Sequence, residues 1–153
     1  MKHLTSVLCL LGAVAAMAVS SAALADETNP DIIHRQGIYQ IVGGHMTALR
    51  SALMLNNEKT HPQVEYHVQG IIEAFKRMGD AYPESSRRGI TRASAAIWEK
   101  PDEFRQAGQN SFAAANKMLE VVQQDGSRRQ IMASFRDLGG SCRACHDDFR
   151  ERR

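Results

Sequence analysis

The stretch IMASFRDLGGSCRACHDDFR, residues 131–150, decides the fold. Its apolar residues and cysteines recur at spacings of four, three, four, three and four, which place them on one face of an α-helix. We predict that this segment is the last helix and that both cysteines lie on its buried face. The positions of this face are Ile131, Phe135, Leu138, Cys142, Cys145 and Phe149.

A turn and a third helix are predicted upstream of the last helix. Residues 125–127, Asp-Gly-Ser, are typical of a tight turn. The helix before this turn is predicted from about Pro101 to Gln124. Residues 80–100 form the longest connection, and its tryptophan, Trp98, is expected to anchor it on the core. The apolar bulk of the third helix comes from Phe104, Phe112, Met118, Leu119 and Val122.

The first predicted helix has Asn29 as its N-cap and Pro30 at the first helical position, where the missing N–H costs nothing. Its apolar residues form a heptad-like stripe, which Arg35 interrupts. A second apolar series widens the arc of this helix beyond the usual core stripe. The stripe contains Ile32, Tyr39, Met46 and Leu53 together with Val42 and Leu49, and the second series contains Ile38, Ile41, Ala48, Ala52 and Leu55.

A second helix completes the set, and it stops near residues 80–83. No run of the sequence alternates strictly between apolar and polar residues, so strands are not expected. Four amphipathic helices joined by two short turns and one longer connection predict an all-α, antiparallel four-helix bundle, whose interior is a usual place for a cofactor. The core positions of the second helix are Val64, Val68, Ile71, Phe75 and Met78.

Residues 1–25 have the three parts of a secretory signal peptide: a positive Lys2, an apolar run and a small-residue cleavage site ending at Ala25. An uncleaved membrane anchor is the alternative, but the apolar run is short for a membrane span. We expect residues 26–153 to form one exported domain in the periplasm, without Cys9. With 19 basic against 17 acidic residues and no basic run, the sequence gives no reason to expect nucleic acid binding.

The motif that carries chemistry is Cys142–His146, CRACH. Two cysteines three residues apart share a helix face, so their sulfurs can form thioethers with both vinyl groups of one haem. The next residue, rotated by about 100°, can present an imidazole to the iron. The alternatives are a thioredoxin-like redox pair, a disulfide or half of a zinc site. The other histidines show no cluster with metal-ligand spacing and are expected to be surface groups: His34, His45, His61 and His67.

Three stretches of the chain together resemble the cytochrome c prime family. They are CRACHDDFR from Cys142, HRQGIYQIVGGHM from His34 and AIWEKPDEF from Ala96. The resemblance spans nearly the whole exported chain. It implies a left-handed antiparallel four-helix bundle, often dimeric, with one covalent haem c whose high-spin, five-coordinate iron binds nitric oxide and carbon monoxide.

The resemblance also implies roles for individual residues. His146 matches the axial iron ligand, and Cys142 and Cys145 match the haem attachment sites. Arg150 matches a basic residue on the proximal side, although a plain solvated charge is the alternative. The haem-edge positions of the family fall on Arg35, Gln36, Thr91 and Arg92, and a haem propionate is the expected partner of Arg35, unless this arginine reaches solvent near the helix start.

Tyr39 matches the position over the distal face of the iron. A methionine at this position marks the low-spin, six-coordinate cytochrome c-556 subgroup. A neutral phenol is a poor iron ligand, and its ordinary pKa near 10 disfavours the phenolate, so the ring is expected to block the sixth position without filling it. Met46, two turns further along the same helix, is the rival ligand, but a displacement of about 10 Å should carry it past the iron.

The resemblance therefore implies a haem protein that buffers or detoxifies nitric oxide. An electron-transfer cytochrome, six-coordinate in the manner of cytochrome c-556, is the alternative, and no redox partner can be named. Peroxidase-like turnover lacks a distal acid–base residue at a reliable position, so an enzyme is not expected. The wide apolar arc of the first helix predicts a homodimer through Ile38, Ile41, Ala48 and Ala52.

Overall fold

The computed structural model describes residues 27–54 and 61–152. Over these residues the chain is helical, with no strand and one isolated bridge between Ala93 and Arg150. The predicted signal peptide and Leu55 lie outside this part. The helices are α1 (Pro30–Met54), α2 (His61–Phe75), α3 (Ala96–Glu99), α4 (Pro101–Gln123) and α5 (Arg128–Phe149), with a 3₁₀ turn at Glu84–Ser86.

The four long helices of this part form the predicted antiparallel bundle. α1 packs on α2, α2 on α4 and α4 on α5, while the short α3 lies against α4 and α5. No helix in residues 27–54 or 61–152 has the length and apolar character needed to cross a membrane. The all-α four-helix bundle predicted from the sequence is confirmed.

The helix ends follow local sequence signals. Asn29 caps α1 as predicted, because its Oδ1 accepts hydrogen bonds from the N–H groups of Asp31 at 3.0 Å and Ile32 at 3.4 Å. Pro101 opens α4. Ser127 and Gln130 form a reciprocal capping box at the start of α5, and the turn before it places Asp125 at a φ of 53°.

The core contains the predicted stripes, but two of the four residues assigned to the dimer face belong to it. Ile38 is 6% exposed and Ala52 is 4% exposed, and both pack within the chain's own core. They cannot contribute to a contact with a second copy, and this part of the prediction was wrong. The reason is the helix phase, which turns them towards the same side as Val42 and Leu49. Ile41, in contrast, is 54% exposed.

Two histidines that the sequence showed as separate surface groups lie together. The Nδ1 atoms of His45 on α1 and His67 on α2 are 3.0 Å apart. The pair joins two helices across 22 residues of sequence, so spacing within one segment could not reveal it. Within the described ranges, no group of three or more His, Cys, Asp or Glu side chains gathers in a way that could hold a metal ion.

Candidate functional site

The site is built on the last two turns of α5, where Cys142 and Cys145 occupy one side of the helix. Both are free thiols and both are half-buried. Cys142 packs against the core of the bundle. Cys145 lines a groove of about 680 Å³ between α4 and α5, together with Ala107 and Phe149. One thiol therefore contacts the interior and the other faces an open space beside it.

The environment keeps both thiols protonated. Burial raises the pKa of Cys142, and burial followed by the charges of Cys142 and Asp148 raises the pKa of Cys145 to about 11. The thiolate is the reactive form in disulfide exchange and in zinc binding. This arrangement therefore disfavours the redox-pair interpretation, and within the described ranges no group of three or more potential ligands includes these cysteines, as a zinc site would require.

His146 follows immediately on α5, and its side chain reaches solvent. The surrounding protein still disfavours the imidazolium, because burial first and then the positive charges of Arg150 and Arg92 lower the pKa of His146. The neutral ring has a nitrogen lone pair free for a metal. His146 is thus present in the form that can bind iron at neutral pH.

Tyr39 on α1 lies close to His146. Its ring centroid lies 6.3 Å from that of His146, at an interplanar angle of 59°. Burial raises the pKa of Tyr39, while a hydrogen bond from Tyr82 acts in the opposite direction. Cys145 and Cys142 are also close enough for their charges to influence this pKa. Tyr39 therefore stays a neutral phenol facing the imidazole.

Arg35 is buried, with 2% of its surface exposed. Its Nη2 donates hydrogen bonds to the Ser86 carbonyl at 2.8 Å and to Thr91 Oγ1 at 3.1 Å. Its Nη1 donates to Ser86 Oγ and, at 3.4 Å, to the Ala81 carbonyl. The solvent-exposed alternative for Arg35 is thus wrong. The protein itself supplies neutral acceptors for this charge, and the predicted propionate contact stays a prediction.

The guanidinium of Arg35 also lies over two aromatic rings, 5.0 Å from the centroid of Tyr82 and 5.8 Å from that of Trp98. The Trp98 indole N–H donates to the Tyr82 carbonyl at 3.2 Å. Tyr82 packs edge-on against Phe104, and Phe104 packs in the same way against Phe149. Trp98 is therefore an anchor of the connection, as predicted.

Tyr82 and Ser86 are the site residues that sequence reasoning missed. The sequence predicts Tyr82 only as a residue at the end of the second helix, and it predicts Ser86 only as part of the connection formed by residues 80–100. A buried arginine in α1 requires hydrogen-bond acceptors from another segment. The sequence thus indicates that acceptor residues exist, but it does not show where in the chain they lie. The structure shows that both come from the connection between α2 and α3.

The other predicted haem-edge residues fasten the same connection at two places. Gln36 on α1 donates from Nε2 to the Ile90 carbonyl at 2.8 Å. Arg92 donates from Nε and Nη2 to the Glu151 carbonyl at 3.0 and 2.6 Å. Arg35, Gln36 and Thr91 therefore join the connection to α1, whereas Arg92 joins it to the end of α5.

The donor set suits a c-type haem. Two free thiols on one side of α5, an imidazole next to them and a phenol close to that imidazole match covalent attachment of a haem through both cysteines with iron ligation from one side. The site thus defines the chain as a c-type haem protein with its attachment motif at the end of a helical bundle.

Comparisons with known proteins identify the family. The family model described as Cytochrome C' matches residues 31–150. Cytochrome c' of Pararhodospirillum photometricum is 32% identical over 120 residues, which cover 77% of this chain and 94% of the relative. Cytochrome c-556 of Agrobacterium tumefaciens is 29% identical over 120 residues, covering 78% and 96%.

A solved structure agrees with the fold. The nitric oxide complex of a variant of cytochrome c prime from Alcaligenes xylosoxidans has a TM-score of 0.71 at 20% identity, covering 80% of this chain and 94% of the other. The chain belongs to the cytochrome c prime family. It carries a haem c bound covalently through Cys142 and Cys145.

Proposed function

We propose that this protein binds nitric oxide and carbon monoxide at a five-coordinate haem iron whose protein ligand is His146. The observation that carries this proposal is the position of Tyr39, whose ring centroid lies 6.3 Å from that of His146. A methionine there would supply a sixth ligand, whereas a neutral phenol does not. When bound, the haem supplies an iron with one open position that can bond a small diatomic gas.

The chain's own residues prepare this position from both sides. Burial, followed by the positive charges of Arg150 and Arg92, lowers the pKa of His146, so its nitrogen remains available to the metal. Tyr39 fills the space opposite and admits only small ligands. Its ring is held by the Tyr82 hydroxyl at 2.9 Å, so entry of a gas requires movement of a tethered side chain. The selection is therefore steric.

The biological role that fits this arrangement is buffering or detoxification of nitric oxide. The comparison protein from Alcaligenes xylosoxidans was solved as a nitric oxide complex on the same fold, which supports the ligand class. We infer a binding protein and not an enzyme, because the raised pKa of Tyr39 makes it a poor proton donor and its neutral phenol a poor base.

Location and assembly form a second part of the proposal. Residues 1–25 would direct the chain to the periplasm and be removed there. A homodimer would use the outer face of α1 around Ile41, and the partly buried Ala48 remains a candidate contact. The haem-edge contacts of Arg35, Gln36, Thr91 and Arg92 also stay proposals.

Absorption spectra of the ferric and ferrous haem-loaded protein test the proposed iron coordination. High-spin spectra that change on addition of nitric oxide are expected. A low-spin ferrous spectrum, with the charge-transfer band of methionine ligation in the ferric form, would instead favour electron transfer. The cytochrome c-556 relative, 29% identical, is the specific reason to keep that alternative.

A further inference from the structure

The histidine pair between α1 and α2 is separate from every residue assigned to the haem site. His45 and His67 are both half-buried, and their ring centroids are 5.3 Å apart. Their Nδ1 atoms lie 3.0 Å from each other. Two imidazoles on neighbouring helices thus present one nitrogen each to the same small space.

Gly70 on α2 makes room for this arrangement. A Cβ at position 70 would lie 2.3 Å from Nε2 of His45 and 2.4 Å from its Cε1. The His45 ring therefore rests directly against the backbone of α2, which only a glycine allows. Nε2 is covered by this contact, so Nδ1 is the His45 nitrogen turned towards His67.

The neutral form of His67 is favoured, and both rings are partly open to solvent. Burial, followed by the neighbouring His45, lowers the pKa of His67. Tyr66 packs against both rings, with centroids 5.8 Å from His45 and 5.1 Å from His67, and is itself 64% exposed. A cation can therefore reach the pair from the surface and bind the lone pairs of both Nδ1 atoms, and each ring then carries its proton on Nε2.

We propose that His45 and His67 bind a divalent transition-metal cation of the Cu²⁺ type through their Nδ1 atoms, bridging α1 and α2. With metal–nitrogen bonds of about 2.0 Å, the observed separation corresponds to an angle of about 97° at the metal. This is close to the right angle of the tetragonal sites that Cu²⁺ and Ni²⁺ prefer. Because no third His, Cys, Asp or Glu joins the pair within the described ranges, water completes the coordination.

The test is a titration of the ferric, haem-loaded protein with Cu²⁺. Calorimetry measures the affinity, and electron paramagnetic resonance identifies the copper ligands. We expect a site whose copper signal shows coupling to two imidazole nitrogens. His45→Gln and His67→Gln should each weaken it at least about tenfold, as loss of a ligand or of its support does. His34→Gln removes an exposed histidine from the same helix α1 and should change the affinity less than about twofold.

Gly70→Ala tests whether the position of the His45 ring matters when both histidine ligands are still present. It keeps both imidazoles and raises the helix propensity of α2, but it displaces the His45 ring, so Cu²⁺ binding should weaken while the fold is retained. Cu²⁺ should also raise the unfolding temperature of the parent but not of His67→Gln. Equal copper affinity in the parent and both glutamine variants, or a signal without two imidazole nitrogens, would overturn the proposal. Unchanged affinity in Gly70→Ala would refute the assigned His45 nitrogen.

Discussion

Tyr82 donates a hydrogen bond from its hydroxyl to the hydroxyl of Tyr39, with 2.9 Å between the two oxygens. The Tyr39 ring faces His146, and the Tyr82 ring lies beneath the Arg35 guanidinium. Tyr39 is therefore linked to the buried Arg35 through one intermediate side chain, that of Tyr82. This link comes from the connection between α2 and α3, outside all the sequence motifs.

Removal of the Tyr39 ring should open the distal side. In Tyr39→Ala we expect carbon monoxide to bind the ferrous protein roughly tenfold faster or more, which corresponds to a barrier lowered by about 1.4 kcal/mol. Tyr39→Phe keeps the ring but loses the hydrogen bond to Tyr82, so as the control it should accelerate binding less than Tyr39→Ala. Flash photolysis or stopped-flow mixing measures the rates, and equal rates in Tyr39→Ala and the parent would mean that the ring does not gate the iron.

Loss of the hydrogen bond from Tyr82 to Tyr39, with both rings kept, should accelerate carbon monoxide binding less than loss of the Tyr39 ring. Tyr82→Phe removes the hydrogen bond to Tyr39 and keeps the aromatic packing, so the free energy of unfolding should fall by about 1 kcal/mol. Carbon monoxide binding should accelerate, but less than in Tyr39→Ala. Tyr66→Phe changes a tyrosine that is 64% exposed and should leave both quantities unchanged. A Tyr82→Phe protein identical to the parent in both measurements would show that the tether has no role.

Arg35 should be a large single contributor to stability. Arg35→Leu leaves the Ser86 carbonyl and the other acceptors of the connection without their donor, which we expect to cost roughly 2 to 4 kcal/mol. Urea unfolding followed by circular dichroism measures this loss. Arg50→Leu replaces an exposed arginine of the same helix and should cost less than about 0.5 kcal/mol. Similar losses for the two variants would contradict the assigned network.

The half-buried pair of Tyr39 and Tyr82 predicts a specific loss of stability at high pH. The pKa values of Tyr39 and Tyr82 are raised above 10 in the folded protein, mainly by burial. Above pH 10 the unfolded chain releases these protons while the folded chain retains them, so the free energy of unfolding decreases as pH rises. The cysteines do not contribute once they are thioethers.

Urea titrations of the haem-loaded protein between about pH 9 and 11.5 test this sign. The double variant Tyr39→Phe with Tyr82→Phe should show a weaker pH dependence than the parent. A stability that rises with pH in this range would contradict the raised pKa values.

The dimer proposal now depends on Ile41. Ile41→Asp places a charge on the outer face of α1 and should convert a dimer to a monomer in sedimentation at micromolar concentration. Ile90→Asp is the control, since Ile90 is 50% exposed but lies in the connection. A parent protein that sediments only as a monomer would reject the dimer itself.

Local patterns explain what could be predicted from the sequence. The cap at Asn29, the proline at the start of α4 and the spacing of cysteines on α5 act over a few residues, and the helices follow them. The contact from Arg35 to Ser86 spans 51 residues and that from His45 to His67 spans 22, so they depend on how helices pack. The same packing decides that Ile38 is core and Ile41 is surface.

Two backbone hydrogen bonds join residues 92–94 of the connection to the end of α5. Ser94 N–H donates to the Phe149 carbonyl at 3.0 Å, and Glu151 N–H donates to the Arg92 carbonyl at 2.8 Å. The connection that holds Tyr39 through Tyr82 is thus fastened to the end of the helix that bears His146. Tyr39 contacts Tyr82 in the connection, the connection is bonded to the end of α5, and His146 on α5 in turn lies next to Tyr39. These contacts form a closed ring around the site, so a movement of Tyr39 is coupled through Tyr82 and the connection to the end of α5.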